Sequence, residues 1–150
     1  MSALYFEDFT VGRQFATEPV TLSEAEIVAF AEKYDPQPIH VDKAAAAGSV
    51  YGGLIASGFQ TIAVAAGQWL RTGRQDGTGM GGPGLRDIRW QAPVRPGDVL
   101  HTTVEVADAR ASRSKPERGI VRFAYTVRVD DEIVATFSAI ILIKRRPDSA

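Results

Sequence analysis

The second half of the chain alternates between apolar and polar residues over long stretches. Between positions 99 and 110, for example, Leu100, Val104 and Val106 are separated by even numbers of residues, which is the period of a half-buried strand. The spacers between these stretches are short, and two of them contain Pro96-Gly97 and Asp130-Asp131, which favours antiparallel hairpins. The predicted strands are Leu85 to Val94, Val99 to Arg110, Ile120 to Val129 and Ile133 to Ile143.

The first half of the chain has helical periodicity instead. Ile27, Ala31 and Tyr34 recur at the spacing of one helical face. Thr21 and Ser23 are each followed three residues later by a glutamate, so both fit a capping box. Because a residue before proline, here Asp35 before Pro36, disfavours the helical conformation, the predicted helix ends at Tyr34 and spans Thr21 to Tyr34.

A second, longer helix is predicted from Gly53 to Leu70. No charged residue interrupts it, and its apolar residues lie on more than one face, so we expect it to be buried nearly all round. Ahead of it, Asp42 is a candidate N-cap for a short helical turn from Lys43 to Ala47.

The order of these elements predicts the fold class. Helices precede strands rather than alternating with them, which excludes a doubly wound sheet. The pattern predicts an α+β fold in which an antiparallel sheet packs on one buried helix. A curved sheet wrapped around a long central helix is the hotdog fold. With 150 residues, a single domain over positions 1–150 is the simplest organisation.

Composition narrows the function classes. The net charge of -1 argues against a general nucleic-acid binder. The absence of cysteine excludes disulfides, thiol catalysis and cysteine-based zinc sites. The N-terminus lacks the basic region of a signal peptide, and no apolar run reaches the ~18 residues of a membrane span. We therefore expect a cytoplasmic protein with no membrane partner.

The clearest candidate chemistry lies in the loop between the two predicted helices. Asp35 and His40, one of two histidines, lie five residues apart, and Pro36 and Pro38 predict a non-helical segment there. A carboxylate and an imidazole brought together can hold a water molecule and move its protons. No third ligand accompanies His40 and Asp42, so no metal site is predicted.

A glycine run from Gly52 to Gly58 follows the loop. Glycines leave backbone N–H groups accessible to a carbonyl oxygen, so Gly58 and Gly53 are candidate substrate-binding residues. Ser57 lacks the Gly-x-Ser-x-Gly setting of a nucleophile. It is interpreted as a small packing residue or a hydrogen-bonding partner within the same site.

Together these segments resemble the MaoC-like dehydratases, the hotdog group that contains the (R)-specific enoyl-CoA hydratases. The likeness covers nearly the whole chain. It rests on three linked segments: Asp35 with Pro38, Ile39, His40 and Asp42; the run Tyr51-Gly52-Gly53-Leu54-Ile55-Ala56-Ser57-Gly58; and the strand and turn Trp90 to Asp98.

The resemblance implies roles for several of these residues. Asp35 and His40 match the catalytic pair, with Asp35 as the base and His40 orienting the water and helping to deliver a proton. Gly58 matches the residue whose N–H binds the thioester oxygen. Ser57 stands where many members carry histidine, and Ala66 where hydratases carry a serine.

The implied reaction is reversible addition of water to a trans-2-enoyl thioester, giving the (R)-3-hydroxyacyl thioester. The substrate would be an acyl-CoA or an acyl-carrier thioester. No cofactor is expected, since coenzyme A is part of the substrate. Two alternatives stay open: a hotdog acyl-CoA thioesterase, and a non-catalytic subunit that binds acyl thioesters. Exposed strand edges predict a homodimer.

Overall fold

The structure, a computed structural model, describes residues 2–149. Residues 1 and 150, which the single-domain prediction includes, lie outside the described residues, and the domain assignment stays a prediction.

Within residues 2–149, six antiparallel strands build one sheet. Five of them follow the order β1–β4–β5–β6–β3 across the sheet, and β2 pairs with the start of β4. The three longest strands match the predicted ones to within two residues at each end. The strands are β1 (Gln14–Ala16), β2 (Val20–Thr21), β3 (Gly84–Trp90), β4 (Val99–Ala111), β5 (Arg118–Val129) and β6 (Glu132–Lys144).

Strand β3 is shorter than the predicted span, which extended to Val94. After Trp90 the chain leaves the sheet, and the carbonyl of Val94 accepts a hydrogen bond from the Ala56 N–H at 2.8 Å. The segment from 91 to 94 therefore joins the sheet to the glycine run instead of extending the strand.

In the described part of the chain, four α-helices lie on or beside the sheet: α1 (Glu24–Tyr34), α2 (Pro38–Val41), α3 (Lys43–Ala47) and α4 (Gly58–Leu70). Of the two capping boxes that the sequence offers, α1 uses Ser23 and Glu26. The Ser23 hydroxyl accepts the Glu26 N–H at 3.1 Å, and the Glu26 carboxylate accepts the Ser23 N–H at 3.2 Å. Thr21 instead belongs to β2, so the predicted start of this helix was three residues early.

The prediction of a wholly non-helical loop after Asp35 was wrong. Residues Pro38–Val41 form the short helix α2, with Pro38 at its first position, where a missing N–H costs nothing. The N-cap assigned to Asp42 is confirmed, since its carboxylate accepts the Ala45 N–H at 3.1 Å.

Helix α4 begins at Gly58 rather than at Gly53. The residues before it are held extended, because the N–H groups of Ile55 and Ala56 donate to the carbonyls of Ile39 and Val94. A run of small apolar residues does not by itself distinguish this conformation from helix, and the sequence-based boundary was five residues early for that reason.

One side of α4 packs into the core. Ala65 and Trp69 are fully buried, and Trp69 meets Phe15 and Phe123 with ring centroids 5.1 Å apart in each pair. The buried Gln68 amide ties α4 to β4, because it accepts from the Thr102 hydroxyl at 2.7 Å and donates to the Leu100 carbonyl at 2.9 Å.

The opposite side of α4 is not covered, contrary to the prediction of burial all round. Phe59 and Leu70 are 62% and 50% exposed. The neighbouring edge strand β3 likewise leaves Leu85 and Trp90 about half exposed. These four residues form an apolar face along α4 and β3.

Within residues 2–149, none of the helices has the length and apolar character needed to cross a membrane.

Candidate active site

A cleft of about 530 Å³ opens where α1, α2 and the start of α4 meet the segment after β3. Asp35, His40 and Gly58 all line it. Its other walls are mainly apolar, with Ile55, Ala56, Phe59, Trp90, Ala92 and Val94 among them. The fold thus brings together three residues that the sequence places up to 23 positions apart.

Asp35 is the C-cap residue of α1, and both oxygens of its carboxylate are engaged. Gln37 Nε2 donates to Oδ1 at 2.8 Å and Ser57 Oγ donates to Oδ2 at 2.7 Å. These two hydrogen bonds, together with nearby His40, hold the pKa of Asp35 below its ordinary value, against the effect of burial. Asp35 is therefore an ionised acceptor at neutral pH.

His40 is buried in α2, and one hydrogen bond fixes its tautomer. Its Nδ1 lies 2.7 Å from the carbonyl oxygen of Ile55. Since a carbonyl can only accept, Nδ1 must carry a proton. The other nitrogen, Nε2, lies 3.4 Å from Asp35 Oδ2, and both residues line the cleft. In neutral His40 this nitrogen is an acceptor, so the pair presents two acceptors to one water molecule.

Ser57 and Gly58 form the N-terminus of α4. The fully buried Ser57 is the N-cap, and its Oγ accepts the Phe59 N–H at 3.2 Å. The Gly58 N–H, the first in the helix, has no acceptor within the helix. An N–H in this position, at the positive end of the helix dipole, suits an oxygen that gains negative charge.

Trp90 explains why position 58 is glycine. A Cβ on Gly58 would overlap the indole ring of Trp90, and the indole Nε1 donates to the Gly58 carbonyl at 3.1 Å. The close approach fixes the start of α4 against the end of β3. The sequence resemblance included Trp90 but assigned it no role, and nothing in its spacing indicated this contact.

One candidate residue lies elsewhere, since Gly53 does not line the cleft and instead lies beside Arg95. The second histidine of the chain, His101, is an exposed residue of β4, opposite Arg128 on β5. Gln37, which the sequence analysis did not single out, belongs to the site through its bond to Asp35.

The cationic residues near the C-terminus have partners in the N-terminal arm. Arg145 pairs with Glu7 at 2.9 Å, and Arg146 pairs with Asp8 at 2.7 Å. Binding of a phosphate group by either arginine would require it to leave its carboxylate.

The sequence of the chain matches a known protein family over most of its length. The family model described as "MaoC like domain" matches residues 8–120. The chain belongs to this family. The resemblance inferred from the motifs is thereby confirmed, and so is the hotdog fold.

Relatives in the MaoC-like family carry names that describe hydration or dehydration. The chain is 33% identical to the 3-hydroxybutyryl-CoA dehydratase of Methylorubrum extorquens, over 99% of this chain and 90% of that protein. It is 31% identical to the (R)-specific enoyl-CoA hydratase of Rhodospirillum rubrum, over 95% and 93%. The crystal structure of a MaoC-like dehydratase from Rhodospirillum rubrum superposes with a TM-score of 0.89 at 35% identity, covering 97% and 99%. Membership supports a hydratase or dehydratase role in broad terms.

Proposed function

We propose that the protein adds water reversibly to a trans-2-enoyl thioester, most simply an enoyl-CoA, and yields the (R)-3-hydroxyacyl thioester. The observation that carries the proposal is the arrangement of Asp35 and His40 beside the free N–H of Gly58 at one helix end. The names of the two relatives suggest the (R) configuration of the product and coenzyme A as the group that carries the acyl chain.

The thioester oxygen would bind the Gly58 N–H. Charge drawn onto that oxygen makes C3 electrophilic and stabilises the enolate that forms when water attacks. Loss of one such donor typically costs on the order of 10²–10³ in rate. Ser57 would keep Asp35 close to this end of the helix.

The water would donate one hydrogen bond to Asp35 and one to His40 Nε2. As its oxygen attacks C3, the pair accepts one proton, and one proton passes from the pair to C2, so that the protein returns to its starting state. Asp35 is the expected base because its carboxylate is ionised at neutral pH and can accept a proton. His40 orients the water and assists delivery.

Next to the cleft lies a second cavity, which is the proposed binding site for the acyl chain. This cavity has a volume of about 410 Å³ and a mainly apolar lining, and it shares Phe59 with the cleft. It runs along the uncovered side of α4, past Ile62, Ala63 and Ala66. An acyl chain whose thioester lies at Gly58 could extend into it.

We also propose that the protein acts as a homodimer. The apolar face of Phe59, Leu70, Leu85 and Trp90 borders this cavity on α4 and β3, and a second copy of the chain would cover it. Strand β3 is an edge strand of seven residues, whereas the other edge strand, β1, has three. The longer edge is the better template for pairing.

The test is the hydration of crotonyl-CoA, which is measured as the loss of the absorbance of the conjugated enoyl group. We expect turnover by the wild type and a decrease of about 10²–10⁴ in Asp35→Asn. Asp108→Asn makes the same chemical change on an exposed part of β4 and should leave the rate unchanged. Release of free thiol instead of hydration would indicate a thioesterase. Thioester binding without any turnover would indicate a binding subunit.

A further inference from the structure

The second cavity contains one polar group that the proposed mechanism does not use, the hydroxyl of Tyr125. Tyr125 lies on β5, is 4% exposed and lines the cavity. Its ring stacks on Phe137 with centroids 4.4 Å apart and an interplanar angle of 15°. The stacking and the burial fix the ring, so the hydroxyl has a defined position in the wall.

Among residues 2–149, no protein group is hydrogen-bonded to the Tyr125 hydroxyl. Two side-chain atoms in that range are completely buried and have no hydrogen-bond partner, Gln60 Oε1 and Thr78 Oγ1. The Tyr125 oxygen is not one of them, so it is not completely enclosed by protein. We take the Tyr125 hydroxyl to be accessible from the cavity that this residue lines. Buried tyrosine hydroxyls ordinarily have a partner.

The other polar side chains around this cavity are Trp69 and Gln75, and they bond to each other. The Trp69 Nε1 donates to Gln75 Oε1 at 2.7 Å. Because an indole N–H can only donate, this bond fixes Gln75 Oε1 as the acceptor and leaves Gln75 Nε2 as a donor beside Gly79. Among the described lining residues, Tyr125 is therefore the uncommitted hydroxyl, and its position is fixed by a buried ring.

Burial also keeps Tyr125 in one protonation state. It raises the pKa of the phenol well above its ordinary value, so the hydroxyl stays a neutral donor across the physiological range. No charged side chain lines the cavity in the described part of the chain. A carboxylate at this position would therefore be buried without a counter-ion, which is strongly unfavourable.

We infer that the substrate carries a neutral oxygen, as a hydroxyl or carbonyl group, near the far end of its acyl chain, and that Tyr125 binds this oxygen. The inference rests on the proposed function, since the thioester must lie at Gly58. From Gly58 to Ala66, at the centre of the cavity lining on α4, the helix rises by about 12 Å. Asp35, His40 and Gly58 line the cleft and not the second cavity, whereas Tyr125 lines the second cavity and not the cleft. The oxygen that Tyr125 binds is therefore distinct from the 3-hydroxyl that hydration creates.

Binding and turnover together test this inference. The binding probes are decanoyl-CoA and 9-oxodecanoyl-CoA, which are saturated and cannot be hydrated. We expect the wild type to bind the keto compound about tenfold or more tightly, as for one hydrogen bond to an otherwise unpaired buried hydroxyl. Tyr125→Phe should abolish this preference. Tyr34→Phe, which removes a hydroxyl from a 62% exposed tyrosine, should retain it.

In turnover, we expect kcat/KM for the 9-oxo form of trans-2-decenoyl-CoA to exceed that for trans-2-decenoyl-CoA itself by the same factor of about ten. Equal binding of both saturated probes by the wild type, or an undiminished preference in Tyr125→Phe, would overturn the inference. Failure of the proposed function looks different. In that case crotonyl-CoA and the decenoyl compounds are not hydrated, while the binding ratio still decides the role of Tyr125.

Discussion

At the scale of single residues, the site depends on how one carboxylate is held. Asp35 receives separate hydrogen bonds on its two oxygens, from Gln37 and Ser57. Ser57 in turn accepts the Phe59 N–H and so caps α4. One serine therefore links the expected base to the helix end that offers the Gly58 N–H. We regard Ser57 as a positioning residue rather than a catalytic one.

Ser57→Ala should change the pH dependence of catalysis. The substitution removes a hydrogen bond to the ionised form of Asp35, so the pKa of Asp35 rises. Asp35 is a base only when ionised, so the acid limb of kcat/KM should move to higher pH. At neutral pH we expect kcat to fall by about tenfold, because Asp35 is no longer held beside the end of α4 that offers the Gly58 N–H. The measurement is a pH profile with crotonyl-CoA.

The matched control is Ser49→Ala. Ser49 donates to the Ala46 carbonyl at 2.6 Å and has no contact with Asp35. An unchanged pH profile in Ser57→Ala, with only lower thermal stability, would mean that Ser57 acts as a helix cap alone.

The sequence predicted Asp35, His40 and Gly58 because each belongs to a motif with a recognisable order of residue types. It could not assign Gln37 or Trp90, whose contacts depend on three-dimensional approach. The bond from Gln37 requires the turn between α1 and α2. The Trp90 contact joins residues 32 positions apart, and no local pattern records it.

At the scale of elements, helix ends build the cleft. Helix α1 stops at Asp35, Pro38 starts α2 and so places His40, and α4 starts at Gly58. The long strands were predicted well because alternation with period two survives along β4 and β5, and because β6 is a nearly continuous apolar run that follows the Asp130-Asp131 turn. The start of α4 was predicted poorly because Gly, Ala and Ser suit both an extended segment and a helix. Tertiary hydrogen bonds from Ile55 and Ala56 decide between them.

The choice between the two capping boxes of α1 gives a prediction about stability. Ser23→Ala should lower the free energy of unfolding by about 1 kcal/mol, because it leaves the Glu26 N–H without its cap. Thr21→Ala is the control, since Thr21 lies in β2 and does not cap the helix. Urea unfolding of both variants makes the comparison. A larger loss for Thr21→Ala would mean that the cap has been misassigned.

At the scale of the whole molecule, the uncovered side of α4 is the main difference between expectation and structure. The sequence predicted a helix buried on all sides, and one chain supplies cover for only one side. We therefore expect a partner to cover the apolar face of Phe59, Leu70, Leu85 and Trp90. This face adjoins the cavity proposed for the acyl chain. Association would close this cavity as well as cover the face.

Leu85→Glu tests the dimer directly. Leu85 is 52% exposed at the free edge of the sheet, so a glutamate there is tolerated in a single chain but would put two charges into a symmetric interface. Light scattering should give the wild type twice the 16.2 kDa chain mass and shift the variant towards the monomer at micromolar concentration. Val11→Glu changes a 64% exposed residue away from this face and should stay dimeric.

The Leu85 variant also tests the acyl cavity. Leu85→Glu should raise KM more for trans-2-decenoyl-CoA than for crotonyl-CoA, because it removes the partner's cover and puts a charge into the cavity wall, whereas the shorter chain reaches only the cleft. A wild type that is monomeric at micromolar concentration and fully active would contradict the dimer. A dimer that persists in Leu85→Glu would show that the chains associate through another surface.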